Sequence, residues 1–62
     1  MDTQDRVQWE IEVYNEICNL GEMDNGDAQG IVEAKEMQGE DPLQYAWDIG
    51  MTPEQAAEYI LA

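Results

Sequence analysis

Apolar residues recur at helical intervals through the first third of the chain. From Val7 to Val13 apolar and polar residues alternate as in a β-strand, but beyond Val13 the alternation fails while helical spacing continues. The two adjoining apolar stripes are Val7, Ile11, Tyr14 and Cys18, and Trp9, Val13, Ile17 and Leu20. No later segment offers a convincing partner strand, and a lone strand would leave its backbone unpaired. We therefore expect a helix over residues 4–20, and Gly21, which follows it, suits a helix end.

An Asn-Gly pair marks the first turn. Residues 23–27 contain Asn25-Gly26, a strong turn signal, so we expect the second helix to occupy residues 28–38. Either Asn25 or Asp27 is positioned to cap this helix. Its apolar residues, expected to face inward, are Ile31, Ala34 and Met37.

Two capping signatures predict the last helices. Asp41 precedes Pro42, an arrangement that suits the start of a helix, and Thr52 begins a capping box completed by Gln55. The apolar positions of these helices are Leu43, Ala46, Trp47 and Ile49 in the third, and Ala56, Ala57, Tyr59, Ile60 and Leu61 in the fourth. The sequence thus predicts an all-α fold: one domain over residues 1–62, a compact bundle of about four short helices, the first the longest.

Composition excludes several classes of function. Fifteen acidic residues and two basic ones give a net charge of −13, which argues against direct binding to nucleic acid or to anionic membranes. The chain has no histidine and one cysteine, so a disulfide, a Cys/His zinc site and a histidine general base are excluded. The acidic N-terminus does not resemble a signal peptide. We expect a soluble, cytoplasmic, non-enzymatic protein without cofactor or metal.

One segment partly matches a calcium-binding loop. Residues 25–36 place oxygen-bearing side chains, a glycine and a final glutamate in EF-hand order. Neutral Asn25 and Gln29 replace aspartates at two ligand positions, which lowers the charge that would hold the ion. We therefore favour a turn leading into a helix over a calcium site.

The acidic residues run through every segment, and one set follows the first helix. Glu12 and Glu16 lie one helical turn apart with no lysine between them, a repulsion that costs a few tenths of a kcal/mol. Duplex DNA carries one negative charge per roughly 1.7 Å of its axis, and carboxylates held on a rigid surface can present a comparable field. We predict partner binding by five residues that extend from the polar face of the first helix into the next turn: Asp5, Glu12, Glu16, Asp24 and Asp27. The expected partner is a basic nucleic-acid-binding protein, and the chain is expected to act as a monomer or a homodimer.

In size, acidity and lack of catalytic residues, the whole chain resembles the small acidic anti-defence inhibitors of phages and mobile elements. These include anti-CRISPR and anti-restriction proteins of the DNA-mimic type. The resemblance rests on composition and not on a motif, so it transfers no site residue. It implies an inhibitor in the host cytoplasm that blocks the DNA-binding site of a CRISPR effector or a restriction enzyme.

A second resemblance supports an alternative. Residues 50–61 resemble the final helix of ubiquitin-associated domains, which bind partners through a hydrophobic patch. The alternative function is an acidic helical interaction module, such as an antitoxin or adaptor, anchored on its partner by Trp9 or Tyr14. For Trp9 a place in the core is the favoured prediction. Solubility and a halophilic origin remain open as further explanations of the acidity.

Overall fold

The computed structural model describes residues 3–62, with side chains from Asp5 onward. Four helices follow one another along this range: α1 (Thr3–Gly21), α2 (Asn25–Met37), α3 (Pro42–Asp48) and α4 (Pro53–Leu61). α1 packs mainly on α4 and also on α2, while α3 contacts α2 and α4. The radius of gyration is 10.8 Å, against about 10.6 Å for a compact chain of this length. The prediction of an all-α bundle with the longest helix first is confirmed.

Only one of the two apolar stripes of α1 forms the core. Trp9, Val13 and Ile17 are buried and meet apolar residues of the other three helices. Leu20, which the pattern places in the same stripe, is 51% exposed. The other stripe lies toward α2 and is largely exposed: Val7 and Ile11 are about half exposed, and Tyr14 and Cys18 are partly buried.

Trp9 connects α1 to the segment between α3 and α4. Its indole Nε1 donates a hydrogen bond to the carbonyl oxygen of Met51 at 3.0 Å. Its ring packs edge-on against Trp47, with centroids 5.2 Å apart and planes at 69°. Trp9 is 9% exposed, so its predicted place in the core is confirmed and it is not a partner anchor.

α2 begins three residues before the predicted start. Asp24 is the N-cap, and its Oδ1 accepts a hydrogen bond from the amide of Asp27 at 3.0 Å. This hydrogen bond satisfies an amide that would otherwise be unpaired, and the charge of Asp27 lies near the positive end of the helix. Together these two interactions outweigh the turn preference of Asn-Gly. The predicted caps Asn25 and Asp27 are wrong, because both lie inside the first turn. The inward face shifts with the start: Ala28 and Val32 are buried, Ile31 is partly buried, and Ala34 and Met37 are exposed.

The predicted caps of α3 and α4 are confirmed. The carboxylate of Asp41 accepts a hydrogen bond from the amide of Gln44. Thr52 and Gln55 form a reciprocal capping box, in which the side chain of each residue accepts from the amide of the other. Ile49, which was expected to line α3, is its C-cap and is more than half exposed.

Three helices end in the same reverse turn, and one of these turns lacks glycine. In each turn, the amide two residues past the C-cap donates to a carbonyl of the last helical turn: Met23 to Cys18, Glu40 to Lys35, and Met51 to Ala46. The residue after the C-cap must adopt a positive φ. Gly39 and Gly50 do so after α2 and α3, whereas after α1 the position is held by Glu22 with φ 53°. A side chain in this left-handed conformation is strained.

Replacing Glu22 with glycine should therefore stabilise the fold. We expect Glu22→Gly to raise the free energy of unfolding by about 0.5–1 kcal/mol, and the midpoint of thermal unfolding by several degrees. Circular dichroism during heating measures this shift. Glu22→Gln is the control, because it removes the same charge but keeps the strained backbone. Equal stabilisation by both variants would attribute the effect to charge and contradict the strain.

Candidate functional site

A surface groove with acidic walls lies between the middle of α1 and the start of α4. It has a volume of about 370 Å³ and is lined by Glu12, Asn15, Glu16, Thr52, Pro53 and Glu54. We call it the acidic groove. The Trp9–Met51 hydrogen bond and the capping box fix the start of α4 against α1 and so bring Glu54 to the two α1 carboxylates.

Local electrostatics favour carboxylates at this groove. Glu54 lies in the first turn of α4, where the unpaired amides of a helix carry partial positive charge. Glu12 and Glu16 face the same helix start across the groove, so its dipole offsets part of their mutual repulsion. Glu12 also accepts a hydrogen bond from the side chain of Gln8 at 3.2 Å, which holds its carboxylate on the helix surface.

Neither basic residue neutralises the acidic groove. The guanidinium of Arg6 pairs with Glu10 at 2.8 Å, bonds Gln44 at 3.2 Å and lies 5.8 and 5.5 Å from the ring centroids of the two tryptophans. Arg6 is therefore held on the α3 side of α1. Lys35 lies in the last turn of α2, where its charge complements the helix dipole. Among the described side chains, no cation is within salt-bridge distance of the groove carboxylates.

The five predicted residues occupy different places. Glu12 and Glu16 line the acidic groove together. Asp5 is exposed in the first turn of α1. Asp24 is exposed and serves as the α2 N-cap, and Asp27 is exposed in the first turn of α2. The structure therefore brings two of the five into one groove and leaves the other three outside it.

Glu54 completes the acidic groove and was missed by sequence reasoning. Its position after the Thr52-Pro53 cap was visible as a first-turn carboxylate, a common stabilising feature of a helix start. What could not be seen was that the start of α4 packs beside Glu12 and Glu16. The missing signal was a tertiary contact and not a local pattern.

A second, smaller groove lies between α1 and α2. It has a volume of about 160 Å³ and is lined by Ile11, Tyr14, Asn15, Asn25 and Gln29. We call it the α1–α2 groove. Burial raises the pKa of Tyr14, and the negative charges of Glu10, Glu36 and Glu33 raise this pKa further. Asn15 lines both grooves, so they form one continuous surface along α1.

An exposed aromatic pair lies on α3 and α4. The rings of Tyr45 and Tyr59 are 5.4 Å apart, and both side chains are substantially exposed. Ile49, one helical turn after Tyr45, is also exposed. We call these three residues the tyrosine patch.

We searched the described residues for a calcium loop, a metal-binding cluster and a membrane-spanning helix. The segment that resembles a calcium loop begins inside α2 and is helical from Asn25 to Glu36, so it lacks the loop conformation of an EF-hand. Residues 3–62 contain no cluster of three side chains arranged to hold a metal ion. In the same range no helix combines the length and the apolar character that a membrane span needs.

Cys18 has a structural role. Its thiol is partly exposed and lies 3.2 Å from the side-chain oxygen of Asn25, to which it donates a hydrogen bond. This bond joins the end of α1 to the start of α2. Cys18 also packs against the core from the partly exposed stripe of α1.

Comparison with known proteins identifies no relative. No family model matches the chain, and neither a curated protein nor a solved structure is significantly similar to it.

Proposed function

We propose that this protein is a non-enzymatic inhibitor that mimics the phosphate charge of DNA and occupies the DNA-binding site of a bacterial defence complex, a CRISPR effector or a restriction enzyme. The observation that carries the proposal is the acidic groove, where three carboxylates from two helices line one surface and no cation among the side chains from Asp5 onward pairs with them. A folded surface that holds such like charges together gains an attraction for a basic partner.

The carboxylates along α1 can be compared with the phosphates of one DNA strand over the same length. Asp5 and Glu16 lie eleven positions apart on α1, which is about 16 Å at 1.5 Å per residue. One strand of duplex DNA carries roughly five phosphates over that length. Glu12 and Glu16 of α1 supply two of these charges, and Glu54 adds a third from α4. A groove built to bind phosphates would therefore meet three fixed negative charges within the length of about five phosphates.

The fixed positions of these charges favour a specific partner over loose polyanion binding. Helix α1 is held to the segment before α4 through the Trp9–Met51 hydrogen bond and to α2 through the Cys18–Asn25 hydrogen bond, so its carboxylates are presented on a packed scaffold. A pre-ordered surface loses less conformational entropy on binding than a flexible acidic tail. The attraction also accelerates encounter with a basic groove, an effect that salt weakens.

Competition with DNA tests the proposal. The immobilised protein is exposed to a lysate of a host that carries CRISPR and restriction systems, and captured proteins are eluted with duplex DNA. We expect a DNA-binding defence protein to be retained at low ionic strength, displaced by duplex DNA, and released as ionic strength rises.

A charge-matched competitor separates mimicry from charge alone. Polyglutamate carries the same carboxylates without a fixed geometry, so it should displace the partner less well than duplex DNA at equal charge concentration. Inhibition of the partner's DNA binding or cleavage by the free protein must accompany capture. Retention of a partner that DNA never displaces would contradict the proposal.

The tyrosine patch favours a second candidate function, an acidic protein-interaction module. Tyr45, Ile49 and Tyr59 are exposed together, and exposed aromatics are common anchors of protein interfaces. In that case the captured partner is released neither by DNA nor by salt. Tyr45→Ser would then abolish capture, whereas under DNA mimicry the same variant would retain it.

A further inference from the structure

The α1–α2 groove combines apolar surface with polar walls. Ile11 is 49% exposed at its edge, and Val7, one turn earlier on α1, extends the apolar surface along the helix. The opposite wall consists of Asn25 and Gln29 of α2. At about 160 Å³ the groove is smaller than the roughly 300–1,000 Å³ of small-molecule sites. Its size suits one inserted side chain.

The charges around this groove determine what that side chain carries. Glu33 and Glu36 are exposed on α2, about one and two helical turns beyond Gln29 of the groove wall. Together with Glu10 of α1, their negative charges raise the pKa of Tyr14. Glu10 is paired with Arg6, but among the described side chains neither Glu33 nor Glu36 has a salt-bridge partner. The groove therefore offers an apolar wall and the side chain of Tyr14, with unneutralised carboxylates further along α2.

We propose that the α1–α2 groove binds a basic amphipathic helix of the protein partner, with an arginine or lysine inserted beside Tyr14. The aliphatic stem of that residue and a neighbouring apolar side chain pack on Ile11 and Val7, while its cation faces Glu33 and Glu36. Long basic side chains characteristically pack an apolar stem on such a surface and keep the charged end in a polar environment. A groove between two helices is also a common receptor for a third amphipathic helix.

This inference rests on the proposed function in one respect, that the same basic partner fills both grooves. Their shared residue Asn15 makes the two surfaces continuous. The acidic groove then takes the phosphate-binding residues of the partner, and the α1–α2 groove adds an apolar contact that DNA lacks. The inhibitor thereby gains an attraction that salt does not screen.

Binding of a designed peptide to the intact protein tests the inference without the natural partner. The probe is a synthetic helix with a leucine stripe at i, i+3, i+4 and i+7 flanked by arginines. The control peptide has the same composition, with the leucines scattered around the helix. We expect the striped peptide to bind at least ten-fold more tightly, and to shift the nuclear magnetic resonance signals of Ile11, Asn15 and Gln29.

Two exposed apolar positions of α1 provide matched variants. Ile11→Ser should weaken binding of the striped peptide about ten-fold, because a buried aliphatic contact is lost. Leu20→Ser should leave the affinity unchanged, since Leu20 is equally exposed but lies outside the groove. Neither substitution alters charge.

The possible failures can be told apart. Equal affinity of the two peptides, or equal effects of the two serine variants, would overturn the groove assignment even if DNA displaces the natural partner. Conversely, selective binding of the striped peptide that Ile11→Ser weakens would support the groove even if no captured partner is displaced by DNA. In that second case only the proposed DNA-mimic function is contradicted, and the groove assignment stands.

Discussion

Replacing Ile17 with alanine should remove most of the stability of this protein. Ile17 is fully buried at the centre of the face that α1 presents to the other helices. Isoleucine-to-alanine changes at such positions cost about 2–5 kcal/mol, through lost burial and the cavity left behind. A chain of 62 residues has a total stability of roughly 3–9 kcal/mol. We therefore expect Ile17→Ala to be partly or wholly unfolded at 25 °C, as measured by circular dichroism in a urea titration.

A second isoleucine of the same helix provides the control. Ile11 is 49% exposed, so Ile11→Ala should change the free energy of unfolding by no more than about 0.5 kcal/mol. If Ile17→Ala is too unfolded to titrate, Ile17→Val deletes a single methyl group and should cost about 0.5–1.5 kcal/mol. Equal effects of the two alanine variants would show that the buried face of α1 is assigned wrongly.

That contrast also shows where sequence reasoning reached its limit. Both apolar stripes of α1 have correct helical spacing, and Ile11 and Ile17 are equally apolar. Periodicity identifies a helix but cannot choose between two adjoining faces, because the choice depends on where the other helices pack. The other three helices cover the side that carries Trp9 and Ile17, and the side with Ile11 lines the α1–α2 groove.

Helix boundaries were predictable where a single local interaction decides them. The caps at Asp41 and Thr52 each depend on a side chain and an amide three residues apart. At the start of α2 two local preferences compete, the turn tendency of Asn25-Gly26 and the capping ability of Asp24. Sequence alone gives no relative weight to these preferences. In the folded chain the capping bond of Asp24 prevails.

The candidate site was predictable in part for the same reason. The pair of Glu12 and Glu16 follows from helical spacing within one element. Glu54 joins them only through the packing of α4 on α1, which no local pattern encodes. Composition indicated that the surface is acidic, but the positions at which carboxylates from different helices meet are a property of the tertiary structure.

Neutralising the acidic groove should cost the protein most of its affinity for a DNA-displaceable partner. The variant combines Glu12→Gln, Glu16→Gln and Glu54→Gln, which keep the shape of the groove and remove its charge. At about 1 kcal/mol for each lost charge pair, the three changes together should weaken binding about 100-fold. The free energy of unfolding should change little, because relief of the repulsion between Glu12 and Glu16 is offset by loss of the favourable interaction of Glu54 with the start of α4. Affinity is measured by titration of the captured partner at low and at physiological ionic strength.

A second triple variant removes the same number of charges elsewhere. Glu22→Gln, Glu40→Gln and Asp48→Asn replace exposed carboxylates that line neither groove. The asparagine can still accept the hydrogen bond that Gln44 donates to Asp48. Both variants carry a net charge of about −10 instead of −13, so long-range attraction falls equally in both.

The comparison between the two triple variants isolates the contribution of position. If the fixed carboxylates of the acidic groove replace phosphates in the partner, only the groove variant loses about 100-fold in affinity, and the loss persists at physiological ionic strength. If net charge alone attracts the partner, both variants weaken equally and the difference from the wild type shrinks as salt is added. Equal weakening would leave the protein an acidic binding module and contradict mimicry by the groove. A difference confined to Glu12, Glu16 and Glu54 would be the expected property of a surface that presents charge in the arrangement of a nucleic acid.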